Sequence, residues 1–232
     1  MSIAGLAHGM ASPEGRAEGS RSLRVIHAHE QVNLPAAERA IRDLLIALGR
    51  DPSSPHLADT PRRVATSFKE MLTPREFDFT TFPNDEHYDE LVLAKSIPVY
   101  SLCEHHMLPF TGVAHVGYLP GERILGLSKL ARVVELFARD LQVQERLTVQ
   151  VANWLQENLA TKGVGGVIEA EHKCMSMRGA PTRGQRTITA AGHGALREDA
   201  GGECHHHQQQ EDRTEVFAHA ITPPTKIRRA GS

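Results

Sequence analysis

The chain predicts an α+β fold: an antiparallel sheet with helices packed on one side, preceded by an N-terminal helical region. Three observations carry this expectation. Apolar residues recur at helical spacing over roughly 34–72, then at strand-like spacing over 91–126. Two more helical runs and two more strand candidates follow, with no internal repeat. The strands are neighbours in sequence and are closed by turn pairs such as Pro120-Gly121, which favours hairpins over βαβ crossovers.

The elements follow in order. Residues 1–33 are rich in Gly, Ala, Ser and charge without an apolar period, so a mobile tail is expected there. Ala37, Ala40, Ile41, Leu44, Leu45 and Leu48 form a first helix face, closed by Gly49. Asp59-Thr60-Pro61 reads as a capped start for a second helix carrying Val64, Ala65, Phe68, Met71 and Leu72. Residues 73–90 read as an acidic loop anchored by Phe77, Phe79 and Phe82.

Strands are expected at 91–100, with Pro98 marking an edge or an end, at 110–119, and briefly at 124–126. Ser128 then caps a helix with Leu130, Val133, Val134 and Phe137 on one side. Leu147, Val151, Trp154, Leu155 and Leu159 mark the next helix, ending near Gly163. Strands at 167–177 and 186–190 flank a turn near Pro181 and Gly184. Asp212-Arg213-Thr214-Glu215 resembles a capping box for a last helix.

Composition narrows the function. At 232 residues, 40% hydrophobic and 23% charged, the chain can bury a core as one domain with tails. A net charge of −2 argues against a general nucleic-acid binder. Three cysteines do not make a secreted disulfide framework. No apolar run reaches the ~20 residues of a membrane span, and the start lacks the apolar core of a signal peptide. The expected location is therefore cytoplasmic, with no nucleic-acid or membrane partner. Fourteen histidines hint at metal or proton chemistry.

Cys103-Glu104-His105-His106 lies between two strand candidates, and His172-Lys173-Cys174 lies in another. On a strand, positions i and i+2 share a face, so His172 and Cys174 are expected on one side and Lys173 on the other. Cys103, His106 and Cys174 would form a three-ligand set with an open fourth position, the arrangement of catalytic zinc. His105 and His172 would remain as acid/base groups. The competing reading of Cys103 is an ordinary buried thiol. Cys204-His205-His206-His207 has more ligands in a row but lies in a Gly/Gln/charge stretch that reads as a flexible insert.

Arg123, Lys129, Arg132, Arg178, Arg183 and Arg186 cluster near these residues in sequence. Lys129 and Arg132 share a helix face, and Ser128 and Lys129 sit at a helix start, where free N–H groups favour anions. A phosphate-bearing substrate and a merely solvated basic surface both fit this pattern. No P-loop is present. In Gln144-Glu145-Arg146 the carboxylate is either an ordinary helix-start residue or an acceptor for the paired N–H groups of a base edge.

Four blocks, SLCEHHMLPF (101–110), GLSKLARVVELFAR (126–139), LQVQERLT (141–148) and EAEHKCMSMRG (169–179), closely resemble GTP cyclohydrolase I, and ADTPRRVA (58–65) resembles that family's N-terminal helix motif. The resemblance runs from about Leu34 to Ile221. It implies the tunnelling fold (T-fold) and a homo-oligomer, typically a toroidal homodecamer with active sites at subunit interfaces. It implies hydrolysis of GTP to 7,8-dihydroneopterin triphosphate and formate, the entry to folate and tetrahydrobiopterin synthesis.

By resemblance, Cys103, His106 and Cys174 hold Zn2+, and His172 donates a proton to the imidazole nitrogen of the guanine. His105 and Ser128 assist ring opening and the sugar rearrangement. Glu145, beside Gln144, holds the guanine edge, while Arg63, Lys129, Arg132 and Arg178 bind the triphosphate. The domain would span 34–222, with a low-complexity insert at about 200–212 and a C-terminal tail at 223–232. Glu145 and the metal ligands are expected to meet across subunit boundaries.

Thr66, Val113, Gly166 and Ala190 depart from the family pattern, and Gly166 is expected to loosen the strand that leads to His172. A protein keeping the fold and zinc as a non-catalytic assembly subunit, and a tunnelling-fold enzyme acting on a pterin, are the rival readings.

Overall fold

The structure is a computed structural model that describes residues 20–25, 32–178 and 184–197. In chain order the elements are β1 (Arg21–Val25), α1 (Leu34–Ala47), α2 (Thr60–Met71), β2 (Phe77–Pro83), β3 (Val92–Cys103), β4 (Pro109–Leu119), β5 (Arg123–Leu125), α3 (Ser128–Ala138), β6 (Leu141–Gln142), α4 (Gln144–Leu159), β7 (Gly163–His172), α5 (Lys173–Ser176) and β8 (Thr187–Gly194). The main sheet has the order β6-β3-β4-β7-β8, and a smaller sheet has the order β1-β2-β5. Every pairing is antiparallel except the two-residue contact of β6 with β3. This is the α+β architecture the sequence predicts, with α3 and α4 packed on one side of the sheet.

The core forms where the periods meet. Phe110, Ala114, Val116 and Tyr118 of β4 are buried, as are Leu130, Val133 and Val134 of α3 and Leu147, Val151 and Leu155 of α4. Each large side chain removed from water contributes about 1.5–3 kcal/mol before entropy is counted. Trp154 of α4 reaches the smaller sheet, meeting Phe79 edge-on at a ring-centroid distance of 4.7 Å. Thus α4 holds both sheets and presents its first turn to the functional site.

Several expectations need correction. Residues 21–25, expected in the mobile tail, form β1 and pair with Phe77–Thr81 of β2. The supposed acidic loop 73–90 contains β2: Phe77 and Phe79 alternate inward, and the acidic residues 85–90 beyond it obscure that short period. Asp59 occupies the N-cap position of α2 as expected, but its side chain makes no capping bond; its carboxylate lies 3.5 Å from Arg62 and 3.2 Å from Arg63. Ser128 does not cap α3, because the helix already begins at Ser128 after Leu127. The strand expected to run to Met177 stops at His172, and Cys174 lies in the short helix α5. Pro98 sits inside β3, paired with Val113 on one side. Among the described residues the other side of β3 meets β6 only at Leu102 and Cys103, so Pro98 marks an edge as expected and its missing N–H breaks no ladder there.

Gly112 sets the approach of β4 to β7, since a Cβ there would lie 1.9 Å from the carbonyl oxygen of Glu169. The insert at 200–212, the Cys204–His207 tract, the last predicted helix and the C-terminal tail lie outside the described residues.

Candidate active site

Cys103 ends β3, and the chain turns back at once. The amide of Met107 donates to the Cys103 carbonyl at 2.8 Å, and the Cys103 amide to the Leu108 carbonyl at 2.9 Å. Met107 adopts a left-handed φ of 53° to close that turn. The turn projects His105 and His106 outward while Cys103 stays buried. Arg146 fastens it to α4: its guanidinium lies 2.5 Å from the Glu104 carboxylate. That bond is the main reason the Glu104 carboxyl sits below its ordinary pKa.

Cys174 arrives from the other end of the sheet. Phe110 pairs with His172 across β4 and β7, so α5, one residue later, falls beside the turn that follows Cys103. The donor atoms of Cys103, His106 and Cys174 all lie within 4.8 Å of one another. Ligands around one tetrahedral zinc ion sit about 3.5–3.8 Å apart. The Cys103 sulfur and His106 Nδ1 are 3.9 Å apart, close to that span. Two free thiols and an imidazole also match zinc chemically.

His105 Nδ1 comes within 3.8 Å of the Cys103 sulfur without belonging to the converging set. Burial, then the hydrogen bond and charge of Cys103, push the Cys174 thiol up, while Arg178 pulls weakly the other way. A cation between the two sulfurs would reverse that balance.

His172 ends β7 half-buried, its ring stacked on Phe110 with centroids 4.6 Å apart and planes 10° apart. Its Nε2 lies 2.8 Å from Gln144 Oε1. Burial pushes the His172 pKa below its ordinary value, and the charge of Glu145 pulls it upward. Glu145 is exposed in the first turn of α4. Gln144, expected on the substrate beside Glu145, is buried instead, with its carboxamide donating to the carbonyls of Ile168 and Thr187 at 3.0 and 2.9 Å. The charge of Glu145 reaches the His172 ring of the same chain.

The predicted phosphate binders are less gathered. Arg63 pairs with Asp59, and Arg132 lies 3.0 Å from Glu135. Lys129 is half-buried and Ser128 exposed at the start of α3, and Arg178 is exposed just after α5. Among the described residues, no hydrogen bond or ion pair joins Ser128, Lys129, Arg63 or Arg132 to Cys103, His106 or Cys174. Of the other arginines in the predicted basic cluster, Arg123 donates to the side chain and carbonyl of Thr81, and Arg186 pairs with Glu169. Arg183 lies outside the described residues.

Sequence reasoning missed two supports of the site. Phe110, the stacking partner of His172, reads in sequence as one more apolar strand residue. The Arg146–Glu104 link joins residues 42 apart, and no local spacing signals it.

Among the described residues, no helix is long and apolar enough to cross a membrane. A solved structure titled as the archaeosine synthase QueF-Like in its apo form matches 45% of this chain and 94% of its own at 17% identity, with a TM-score of 0.37. Sequence relatives lie much nearer. A GTP cyclohydrolase 1 of Mycobacteroides abscessus is 53% identical over 169 residues, covering 71% of this chain and 83% of its own. One of Thermobifida fusca is 50% identical over 172 residues, covering 72% and 83%. One of Streptomyces coelicolor is 52% identical over 171 residues, covering 71% and 84%. The family model described as GTP cyclohydrolase I matches residues 37–218, a span holding the sheet, both packed helices and the converging thiols, and the chain therefore belongs to the GTP cyclohydrolase I family of enzymes.

Proposed function

We propose that this chain hydrolyses GTP to 7,8-dihydroneopterin triphosphate and formate with zinc held by Cys103, His106 and Cys174. The observation that carries the proposal is the convergence of those three donors from β3, its following turn and α5, close to His172. Zinc, when bound, supplies a water nucleophile at neutral pH and electrophilic assistance to the atom attacked.

The chain's own residues do the rest. His172 passes a proton to the guanine imidazole nitrogen as the ring opens, and C8 leaves as formate. Glu145, exposed at the head of α4, accepts the paired N–H groups of the guanine edge. Arg63, Lys129, Arg132 and Arg178 hold the triphosphate. His105 and Ser128 assist ring opening and the sugar rearrangement that follows. The product would enter folate or another pterin route. We place the working unit as a cytoplasmic homo-oligomer, a toroidal decamer by family resemblance, with active sites at subunit interfaces.

The test is GTP turnover, followed as a fluorescent pterin after oxidation, with and without a zinc chelator. Turnover that the chelator removes and added zinc restores is expected. A zinc-loaded, assembled protein that leaves GTP intact would instead be an assembly subunit.

A further inference from the structure

We infer that Gln144 is a positioning residue: its carboxamide fixes the His172 ring with a proton on Nε2 and leaves Nδ1 as the nitrogen that meets the substrate. The inference rests on the proposed role of His172 in proton transfer, but its structural half stands on hydrogen-bond chemistry alone.

The Gln144 Nε2 group lies 3.0 Å from the Ile168 carbonyl and 2.9 Å from the Thr187 carbonyl. Carbonyl oxygens only accept, so the amide nitrogen must face them. Turning the amide over would set Oε1 against two other oxygens inside the protein, where unpaired acceptors are costly. With the nitrogen placed, Oε1 is the atom 2.8 Å from His172 Nε2. An amide oxygen also only accepts, so that ring nitrogen must carry hydrogen whether the ring is neutral or charged.

The hydroxyls around Gln144 agree. Thr148 Oγ1 donates to the Gln144 backbone carbonyl at 2.8 Å. Thr189 Oγ1, 2.6 Å from Thr148 Oγ1, must then donate to it. This leaves Thr189 free to accept from Gln144 Nε2 at 3.2 Å. Each hydroxyl has one acceptor, the two hydrogens of Gln144 Nε2 are shared among three, and all the bonds run in one direction. Gln144 is 1% exposed, so water does not compete for these bonds. Stacking on the fully buried Phe110 fixes the plane of the His172 ring. With Nε2 engaged, Nδ1 is the ring nitrogen left to exchange a proton with a ligand.

The network ties β7, β8 and the head of α4 to one imidazole, which accounts for a buried glutamine beside an exposed Glu145. It replaces the expectation that the Gln144 side chain reads the substrate.

The test uses the full zinc-loaded protein, labelled with 15N at histidine and sedimented for solid-state NMR, with His172→Ala supplying the assignment by difference. Wild-type protein should show the His172 Nε2–H form. In Gln144→Leu that preference should be lost. Turnover of GTP should fall about 10–100-fold in kcat, the usual scale for a residue that orients another, with KM and zinc content unchanged.

A wild-type Nδ1–H form overturns the inference even if Gln144→Leu fails to fold. So does a Gln144→Leu protein with a raised KM and unchanged kcat, which would make Gln144 a substrate contact. The NMR arm reads the same whether or not the wild-type protein turns over GTP, so a failure of the functional proposal is told apart from a failure of this one.

Discussion

The reacting end of the site and its basic rim are built in different ways. Around the candidate metal ligands, a closed turn after Cys103, an arginine clamp on Glu104 and a stacked, hydrogen-bonded His172 are already in place. On the proposed triphosphate side, Arg63 rests on Asp59 just before its helix and Arg132 on Glu135 of its own helix. Proton transfer tolerates little misplacement, so its groups are held before substrate arrives. Charge attraction to a triphosphate acts over several ångströms and tolerates arginines that exchange partners on binding. Glu135 shows how far this goes, since one carboxylate lies within 3.0 Å of guanidinium nitrogens of Arg75, Arg132 and Arg139 and leaves the group net positive.

The largest expected effect breaks the reacting end. Cys103→Ser or Cys174→Ser should lose the metal and bring turnover to background, whereas Cys204→Ala should change neither. His172→Ala should keep its metal and lose about 10²–10⁴-fold in turnover, the range for a general acid or base. Metal analysis alongside a GTP assay separates these outcomes. A Cys174→Ser protein that retains zinc would sink the ligand set.

The second effect tests the contrast itself. Arg132→Ala should raise KM by roughly 10–100-fold, the worth of one charge-assisted hydrogen bond, and leave kcat nearly untouched. In mixed oligomers, His172→Ala with Arg132→Ala should regain activity if the rim of each site comes from a neighbour. His172→Ala with Glu145→Ala should not, if those two residues of one site come from the same chain. Rescue by the second pair and not the first would invert the comparison.

Sequence legibility followed the same division. The α+β order, the main helices and the Cys103/His106/Cys174 set were readable because apolar period and ligand chemistry are properties of residue types. The placement of Cys174 on a strand was misread, because nothing local marks the step from β7 into a four-residue helix. β1 was missed because its RSLRV sequence gains its order from pairing with β2, more than fifty residues away. Gln144 and Glu145 enter the sequence reading together through the family resemblance, and sequence alone does not show which of two adjacent helix-start residues turns in.

A third, smaller effect concerns stability. Burial pushes the Glu135 carboxyl upward, but Arg75, Arg139 and Arg132 outweigh it and hold the group below the usual carboxylate range. A depressed folded pKa gives stability that is present above the unfolded value and lost as pH falls through the folded one. Glu135→Gln should therefore cost about 1 kcal/mol near neutrality, as partly exposed ion pairs do, and progressively less at acid pH. Denaturant midpoints across pH measure this. A cost that grows on acidification would show that the arginines do not stabilise the charged form. The same variant frees Arg132 and should lower, not raise, the KM for GTP.

The smallest effect asks whether the reacting end has slack. Gly166 lies in β7, six residues before His172, paired with Val116 and Ala191. A glycine inside a strand carries an entropic cost of roughly 0.5–1 kcal/mol relative to alanine. Usually a tight neighbour explains such a residue, as the Glu169 carbonyl explains Gly112. At Gly166, an added Cβ would meet nothing within 4 Å. Gly166→Ala should therefore stabilise the protein by about 0.5–1 kcal/mol, raising the denaturation midpoint without changing kcat. The register that carries His172 is set by pairing of β7 with β4 through His172 and with β8 through Ala170. If Gly166→Ala lowered the midpoint, the space beside β7 would be filled in the assembled protein, and the glycine would mark a close approach between chains.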